Sequence, residues 1–255
     1  FRLKPGETVF SPTGHPGTGR KRGPGSAMAQ VVLGNVYNKY ESENVLARRL
    51  VKGYLSALKT LVRGVNPGRI LEVGCGEGHL SGFLADWLPH TSVVGVDLSP
   101  RLFPSVPRRP NLIFLVQSAY SLGFSDNSFD LVIGAEVLEH LEQPGAALKE
   151  MVRLSRRHVL ASVPREPLWR FLNLARFTYV RDLGNTPGHL QHWGKHDFLR
   201  LLKGYGEIRA VRSPPPWTMA LLEKTEQRIK PTRGTLIQAG HGTREEFRDE
   251  SREYL

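Results

Sequence analysis

The sequence is short of cysteine and of long apolar runs, and both shortages narrow the class of protein. Among its 255 residues Cys75 is the single cysteine, so an internal disulfide or a thiolate-rich zinc site cannot form. Such cysteine usage favours a reducing compartment, and we expect a cytoplasmic protein. Arg, Gly or Pro interrupts every apolar stretch well before the roughly 18 to 20 consecutive apolar residues that a membrane-spanning helix needs. We therefore expect a chain that does not cross a bilayer.

Acidic residues are also scarce relative to basic ones. The chain has 35 Lys and Arg against 24 Asp and Glu, a formal net charge of +11. Seven arginines lie between Arg153 and Arg181, where Glu166 is the one acid. A field of this sign favours an anionic partner, which can be a phosphorylated substrate, an acidic lipid surface or nucleic acid, although a solvated basic face is the plain alternative.

The composition changes along the chain and predicts three parts. Residues 1–28 are rich in Gly, Pro and Thr without periodicity, and we expect a disordered leader. Residues 29–224 hold the apolar patterns of one folded domain, opened by helical spacing over 36–62 and interrupted by an insertion at 165–190. We expect the charge-mixed residues 225–255 to form a flexible tail.

Within the domain, short apolar runs alternate with helical stretches, as they do in a parallel sheet covered on both faces. Beyond the insertion, two further strands are joined by Ser213 and three prolines, a connection too short for a crossover helix, so this pair should be antiparallel. We predict an α/β, Rossmann-like doubly wound sheet of seven strands, mostly parallel with an antiparallel terminal strand. The predicted strands are 69–74, 92–97, 112–117, 129–135, 159–163, 207–212 and 218–224.

A glycine-rich loop separates the first predicted strand from the next helix. Gly74, Gly76 and Gly78 let a ligand approach the backbone closely, and the helix offers free N–H groups at its start. A dinucleotide site normally shows G-x-G-x-x-G, so the G-x-G-x-G spacing does not indicate a pyrophosphate. Asp97 ends the second strand about 23 residues after Gly74 and can accept hydrogen bonds from both hydroxyls of a ribose.

These motifs resemble those of the class I S-adenosylmethionine-dependent methyltransferases over about residues 40–224. The resemblance implies S-adenosylmethionine as the cofactor, with its methionine part beside Glu72 and the loop, its ribose at Asp97 and its adenine beside Leu98. Ser118 stands where the family often has Asp, so the adenine amino group would meet Ser118 or a backbone group. The full set of cofactor-binding residues that the resemblance implies is Glu72, Gly74, Cys75, Gly76, Gly78, Asp97, Leu98, Ser118, Ala119 and Glu136.

Acidic and histidine residues follow the fourth strand. If the chain turns helically there, Glu136, Glu139 and His140 share one side, and they can bind a divalent cation or orient His140 as a general base. The small-RNA 3′-end 2′-O-methyltransferases look similar here, which implies a metal site, for Mg or Zn, at Glu136, Glu139, His140 and His189. Without a metal, His140, His189 or His192 would act as the base. There are two alternatives to a metal site. In one, Glu136 only lines the cofactor pocket; in the other, Glu139 and His140 only cap the next helix.

The insertion interleaves arginines with aromatic and aliphatic residues. Helical spacing puts Leu168, Leu172, Ala175 and Tyr179 on one side, with Trp169 and Phe171 flanking them. Such a segment can cover an apolar acceptor pocket, rest on an anionic membrane surface through 165–181, or simply bury its apolar face.

Sequence similarity to the methyltransferase type 11 and ubiquinone-biosynthesis O-methyltransferases around Glu136–His140 favours a small, hydrophobic or lipid-linked acceptor. We expect an O-methyltransferase, because an imidazole with a near-neutral pKa suits a phenol or an activated hydroxyl, and a carbon acceptor is the alternative. One alternative is a metal-dependent RNA 2′-O-methyltransferase. The other is a cofactor-binding protein without catalytic activity on the same fold.

Overall fold

The computed structural model describes residues 45–99, 107–175, 183–186 and 188–225. The predicted leader, and all of the predicted tail except Thr225, lie outside these ranges. The strands are β1 Arg69–Val73, β2 Ser92–Asp97, β3 Leu112–Val116, β4 Phe129–Ala135, β5 Ser155–Pro164, β6 Glu207–Arg212 and β7 Trp217–Glu223. The helices are α1 Val45–Val65, α2 His79–Trp87, α3 Pro144–Leu154, α4 Leu168–Ala175 and α5 Lys195–Lys203, with a 3₁₀ turn at Leu138–His140.

The seven strands form one sheet in the order β3-β2-β1-β4-β5-β7-β6. The first five are parallel, whereas β7 pairs antiparallel with both β5 and β6. The predicted Rossmann-like sheet with an antiparallel end is confirmed. The prediction placed the start of the fifth strand at Val159, which is wrong: β5 begins at Ser155. Arg156 and Arg157 are exposed there and lie at a register shift between the Ser155 and His158 pairs, so this part of the strand carries no apolar signal in the sequence.

Helices cover both faces of the sheet, as predicted. Leu148 and Met151 of α3 and Phe198 of α5 pack on one face. Leu58 of α1 and Leu84 of α2 pack on the other. Within the described ranges, each helix is too short or too polar to cross a membrane.

The chain order places the site at the carboxyl ends of the central strands β1 and β4. From β1 the chain moves outward through β2 to β3, and then returns to the other side of β1 as β4. Ligands of doubly wound sheets bind outside the carboxyl ends of the strands at such a reversal. The glycine loop follows β1 and Glu136 follows β4, so both lie at this position.

Candidate active site

The glycine loop is shaped by contacts with the residues after β4. Gly74 has φ of 72°, and a Cβ atom there would lie 2.3 Å from Cγ2 of Val137. Gly76 has φ of 53°, but a Cβ atom there would meet nothing within 4 Å. Packing therefore requires glycine at position 74, whereas at position 76 the backbone faces open space that a ligand can fill.

Asp97 is tied to this loop. Its Oδ2 accepts a hydrogen bond of 2.9 Å from the Gly76 N–H, and its Oδ1 accepts one of 3.1 Å from the Ser99 N–H. The Gly74 and Cys75 N–H groups donate to the carbonyl of Val96, the residue before Asp97. A carboxylate has about four acceptor positions, so both oxygens retain capacity for ribose hydroxyls. The structure thus brings the loop and Asp97 together, and the ribose contact remains a prediction.

Glu72 in β1 and Cys75 in the loop are buried beside these groups. Glu72, only 3% exposed, accepts a hydrogen bond from the Ser81 hydroxyl of α2. Burial, and then the carboxylates of Glu72 and Asp97, raise the pKa of the Cys75 thiol well above its usual range. Cys75 therefore contributes a neutral, protonated thiol to the base of the loop.

The residues expected at the adenine lie next to the ends of β2 and β3. Leu98 is 55% exposed, which leaves an apolar side chain available for a ring. The Gln117 N–H donates to the Asp97 carbonyl over 3.0 Å, so the β3 loop adjoins the ribose position. Ser118 and Ala119 are half-buried, and Ser118 Oγ accepts a hydrogen bond of 3.3 Å from the Tyr120 N–H.

Glu136 is held by a residue that the sequence analysis did not identify. Its backbone is left-handed, with φ of 60°, a strained conformation for a residue with a side chain. Its Oε2 accepts a hydrogen bond of 2.5 Å from the indole N–H of Trp217. Trp217 opens β7, far along the chain, and no local sequence signal links it to Glu136.

Trp217 belongs to a row of rings that crosses this end of the sheet. Its ring centroid lies 5.0 Å from that of Tyr54 in α1 and 6.0 Å from that of Trp169 in α4. Trp169 in turn stacks on His189 at 6.3 Å. We call Tyr54, Trp217, Trp169 and His189 the aromatic row, and it gives the site an apolar wall.

Three of the four predicted metal ligands lie together. One ligand atom each from Glu139, His140 and His189 lies within 4.8 Å of the other two. Glu136 is outside this cluster, because the chain leaves β4 through a left-handed residue and a 3₁₀ turn and not through the α-helical turn that the prediction assumed. Helix α3 starts at Pro144 behind Gln143, and its N-cap has no side-chain hydrogen bond.

The cluster is assembled by a loop almost 50 residues further along the chain. His140 Nδ1 lies 2.9 Å from the carbonyl oxygen of Gly188, and a neutral ring that donates to a carbonyl there carries its lone pair on Nε2. The Leu190 and Gln191 N–H groups donate to the Glu139 carbonyl over 2.8 and 3.0 Å. These bonds fix the 3₁₀ turn against the loop that contains His189.

His192 lies at the margin of the cluster. Its ring centroid is 6.4 Å from that of His189, and its Nδ1 is 3.7 Å from Glu166 Oε1. Its side chain is 36% exposed, whereas His189 is buried. Of the three predicted bases, His140 and His189 are therefore adjacent and His192 is peripheral.

Helix α4 is attached to the same loop by its less apolar side. The Trp169 indole donates to the Thr186 hydroxyl over 2.9 Å, and the buried Asn173 donates to the Gly184 carbonyl over 2.8 Å. Phe171 is 66% exposed. Leu168 and Leu172 are half-buried and Trp169 packs against the core beside them, so the choice between a cover, a membrane contact and a packed helix stays a prediction. Tyr179 lies outside the described residues.

Comparison with known proteins shows what this arrangement is similar to. A methyltransferase domain matches residues 71–161. The demethylmenaquinone methyltransferase of Roseiflexus castenholzii is 29% identical over 61% of this chain and 71% of that protein.

Solved structures show the same fold at lower identity. A protein from Pyrococcus horikoshii OT3 aligns at a TM-score of 0.58 with 20% identity, over 74% of this chain and 97% of that one. The magnesium protoporphyrin IX methyltransferase from Synechocystis PCC 6803, with bound SAH, aligns at 0.55 with 19% identity, over 73% and 91%. The region that matches the methyltransferase domain includes both the glycine loop and Asp97, so this chain is similar to methyltransferases over the part of the fold that carries those residues.

Proposed function

We propose that the enzyme methylates a hydroxyl oxygen of a small, apolar acceptor that binds beside His140 and Trp169. The observation that carries this proposal is the position of His140 at the carboxyl end of β4, with its Nδ1 against the Gly188 carbonyl. That contact leaves Nε2 as the nitrogen that can accept a proton.

The residues at the glycine loop suit the cofactor. Gly76 borders open space that suits a loop contact with the cofactor. Asp97 keeps acceptor capacity for a ribose, and the exposed Leu98 suits an adenine. When bound there, S-adenosylmethionine supplies an electrophilic methyl group on a positively charged sulfur. The carboxylate of Glu136, held by Trp217, faces the same end of the sheet and favours a cationic group.

The protein then has to align the acceptor and remove its proton. His140 accepts the hydroxyl proton at Nε2, and the nearby buried carboxylate of Glu139 stabilises the imidazolium that results. His189, stacked on Trp169, keeps the His140 ring in place from its other side. Proton removal raises the electron density on the acceptor oxygen as it approaches the methyl group.

The acceptor class is supported by the apolar wall and by the relatives. Trp169 is the partly exposed member of the aromatic row, and its flat ring suits a planar acceptor. The name of the Roseiflexus relative, demethylmenaquinone methyltransferase, supports a quinone-like acceptor and does not specify oxygen as the methylated atom. Helix α4 is in a position to cover such an acceptor. Contact of 165–181 with a membrane remains a prediction, since residues 176–181 lie outside the described ranges.

The test is methyl transfer from ¹³C-methyl-labelled cofactor to a naphthohydroquinone with and without a prenyl tail. The carbon chemical shift of the product distinguishes an oxygen-bound methyl group from a carbon-bound one. We expect an oxygen-bound product, and His140→Gln should lower kcat by about 100-fold, as expected for a lost general base. His192→Gln is the matched control and should stay within about twofold of wild type. A carbon-bound product, or full activity of His140→Gln, would contradict the proposal.

The same cluster supports a second candidate, a metal site at Glu139, His140 and His189. One carboxylate and two imidazoles are ligands that zinc accepts, and a cation there would lower the pKa of an acceptor hydroxyl. This version belongs with the metal-dependent RNA 2′-O-methyltransferase alternative. It requires that a chelator abolish activity, that His189→Ala have the same effect, and that RNA binding weaken steeply with salt. Full activity in chelator would exclude the metal site and leave the mechanism in which an imidazole acts as the base.

Cofactor binding without methyl transfer to any fraction of a cell extract would favour the non-catalytic alternative.

A further inference from the structure

A groove of about 490 Å³ lies between α1 and α2. Its apolar lining comes from Val51, Leu55 and Phe83. Its basic lining comes from Arg48, Lys52 and Lys59, and Ser56 completes it. The groove therefore combines an apolar floor with a cationic rim.

The spacing of these residues explains how α1 serves two surfaces. Positions 48, 52, 55 and 59 follow one another at helical intervals and form a stripe along the helix. Tyr54 and Leu58 lie on the other side and are buried against the sheet. Arg48 and Lys52 are exposed, so the stripe is an outer surface of the helix.

The electrostatics of the groove select an anion. Helix α1 carries Arg48, Arg49, Lys52, Lys59 and Arg63 and has no Asp or Glu. On α2, Asp86 is already paired with Arg109 at 2.5 Å. The Lys59 ammonium lies 5.0 Å from the centroid of the Phe83 ring and 5.1 Å from that of Trp87, which holds this cation over the aromatic floor.

We propose that the α1–α2 groove docks the protein on an anionic lipid bilayer. Lipid phosphates contact Arg48 and Lys52, and acyl-chain carbons lie along Leu55 and Phe83. A helix that combines basic and apolar side chains on its outer side binds anionic membrane surfaces in this way, because each cation near the surface adds to the attraction. This proposal stands on α1 and α2 alone and is independent of the acceptor proposed above.

The test is flotation of the full chain with vesicles of phosphatidylcholine, with and without phosphatidylglycerol. Wild type should float only with the anionic vesicles. The double variant R48E/K52E should lower the partition coefficient by about 30-fold or more, from the loss of two surface cations. Ser56→Trp, which fills the groove without changing charge, should also weaken binding.

The matched control is K195E/K203E, which changes the net charge equally on α5, on the other face of the sheet. It should stay within about threefold of wild type. Calorimetric titration with S-adenosylmethionine checks that each variant is folded, and R48Q/K52Q replaces the reversed pair if that one does not fold. Three results would each overturn the proposal. Wild type could bind neutral vesicles as well as anionic ones, or both double variants could lose vesicle binding equally. R48E/K52E could also lose RNA binding while its vesicle binding stays intact.

Discussion

The two glycines at positions 74 and 76 allow the packing of the protein to be separated from the binding of its ligand. Both have positive φ, so alanine at either position should cost about 1 to 2 kcal/mol of backbone strain. Gly74→Ala adds a methyl group 2.3 Å from Val137 Cγ2, a contact that something must move to relieve. Overpacking of this kind costs about another 1 to 3 kcal/mol, so Gly74→Ala should lower the free energy of unfolding by roughly 2 to 5 kcal/mol.

Gly76→Ala should behave differently, because its added methyl group enters open space. Its free energy of unfolding should fall by only about 1 to 2 kcal/mol. If that space holds the cofactor, the dissociation constant for S-adenosylmethionine should rise by at least about tenfold, the equivalent of about 1.4 kcal/mol. Chemical denaturation measures the first quantity and isothermal titration calorimetry measures the second.

Gly53→Ala is the control for both variants. It lies inside α1, where a Cβ atom would meet nothing within 4 Å, so it should stabilise the protein by about 0.5 to 1 kcal/mol and leave cofactor affinity unchanged. If Gly76→Ala binds S-adenosylmethionine as tightly as wild type does, the space beside the loop is not the cofactor site. If Gly74→Ala unfolds no more easily than Gly76→Ala, the contact with Val137 does not constrain the loop.

Three further variants test other parts of the site. Asp97→Ala should lose about 1.5 to 3 kcal/mol of cofactor affinity by calorimetry, because it removes a charged hydrogen-bond acceptor, and an unchanged affinity would place the ribose elsewhere. Trp217→Phe keeps a ring but loses the N–H that holds Glu136, so kcat should fall by about tenfold. Because Trp217 is only 4% exposed, the smaller ring also leaves a cavity and lowers the midpoint of thermal unfolding, and an unchanged kcat would indicate a purely structural role. Burial and the neighbouring carboxylates of Glu72 and Asp97 raise the pKa of the Cys75 thiol, so its stabilising contribution is present below about pH 9 and is lost as the pH rises further. Unfolding measured from pH 8 to 10.5 should therefore show a smaller loss of stability in Cys75→Ala than in wild type, and parallel curves would refute the assignment.

The fold could be predicted from sequence because its signals are local. Apolar runs such as Val93–Val96 mark buried parallel strands, and the prolines after Ser213 exclude a crossover helix between the last two strands. The start of β5 could not be predicted, because Arg156 and Arg157 are exposed and lie at a register shift between the Ser155 and His158 pairs. Pairing of this kind leaves no trace in a hydrophobic pattern.

The candidate site was predictable only where its residues are close in sequence. The loop at Gly74–Gly78 and the acid at Asp97 carry their own signals, since each follows a recognisable strand. The contact of Trp217 with Glu136 depends on how β7 is inserted beside β5, which no local pattern encodes. The exclusion of Glu136 from the histidine cluster likewise depends on a single left-handed residue after β4.

Isothermal titration calorimetry of the purified full chain tests the central claim most directly, with S-adenosylmethionine and its demethylated product as titrants. One molecule of either nucleoside should bind per chain, and Asp97→Ala should weaken both titrations. Absence of heat and of binding for both nucleosides with the folded wild-type protein would contradict the assignment of the glycine loop and Asp97 as the cofactor site.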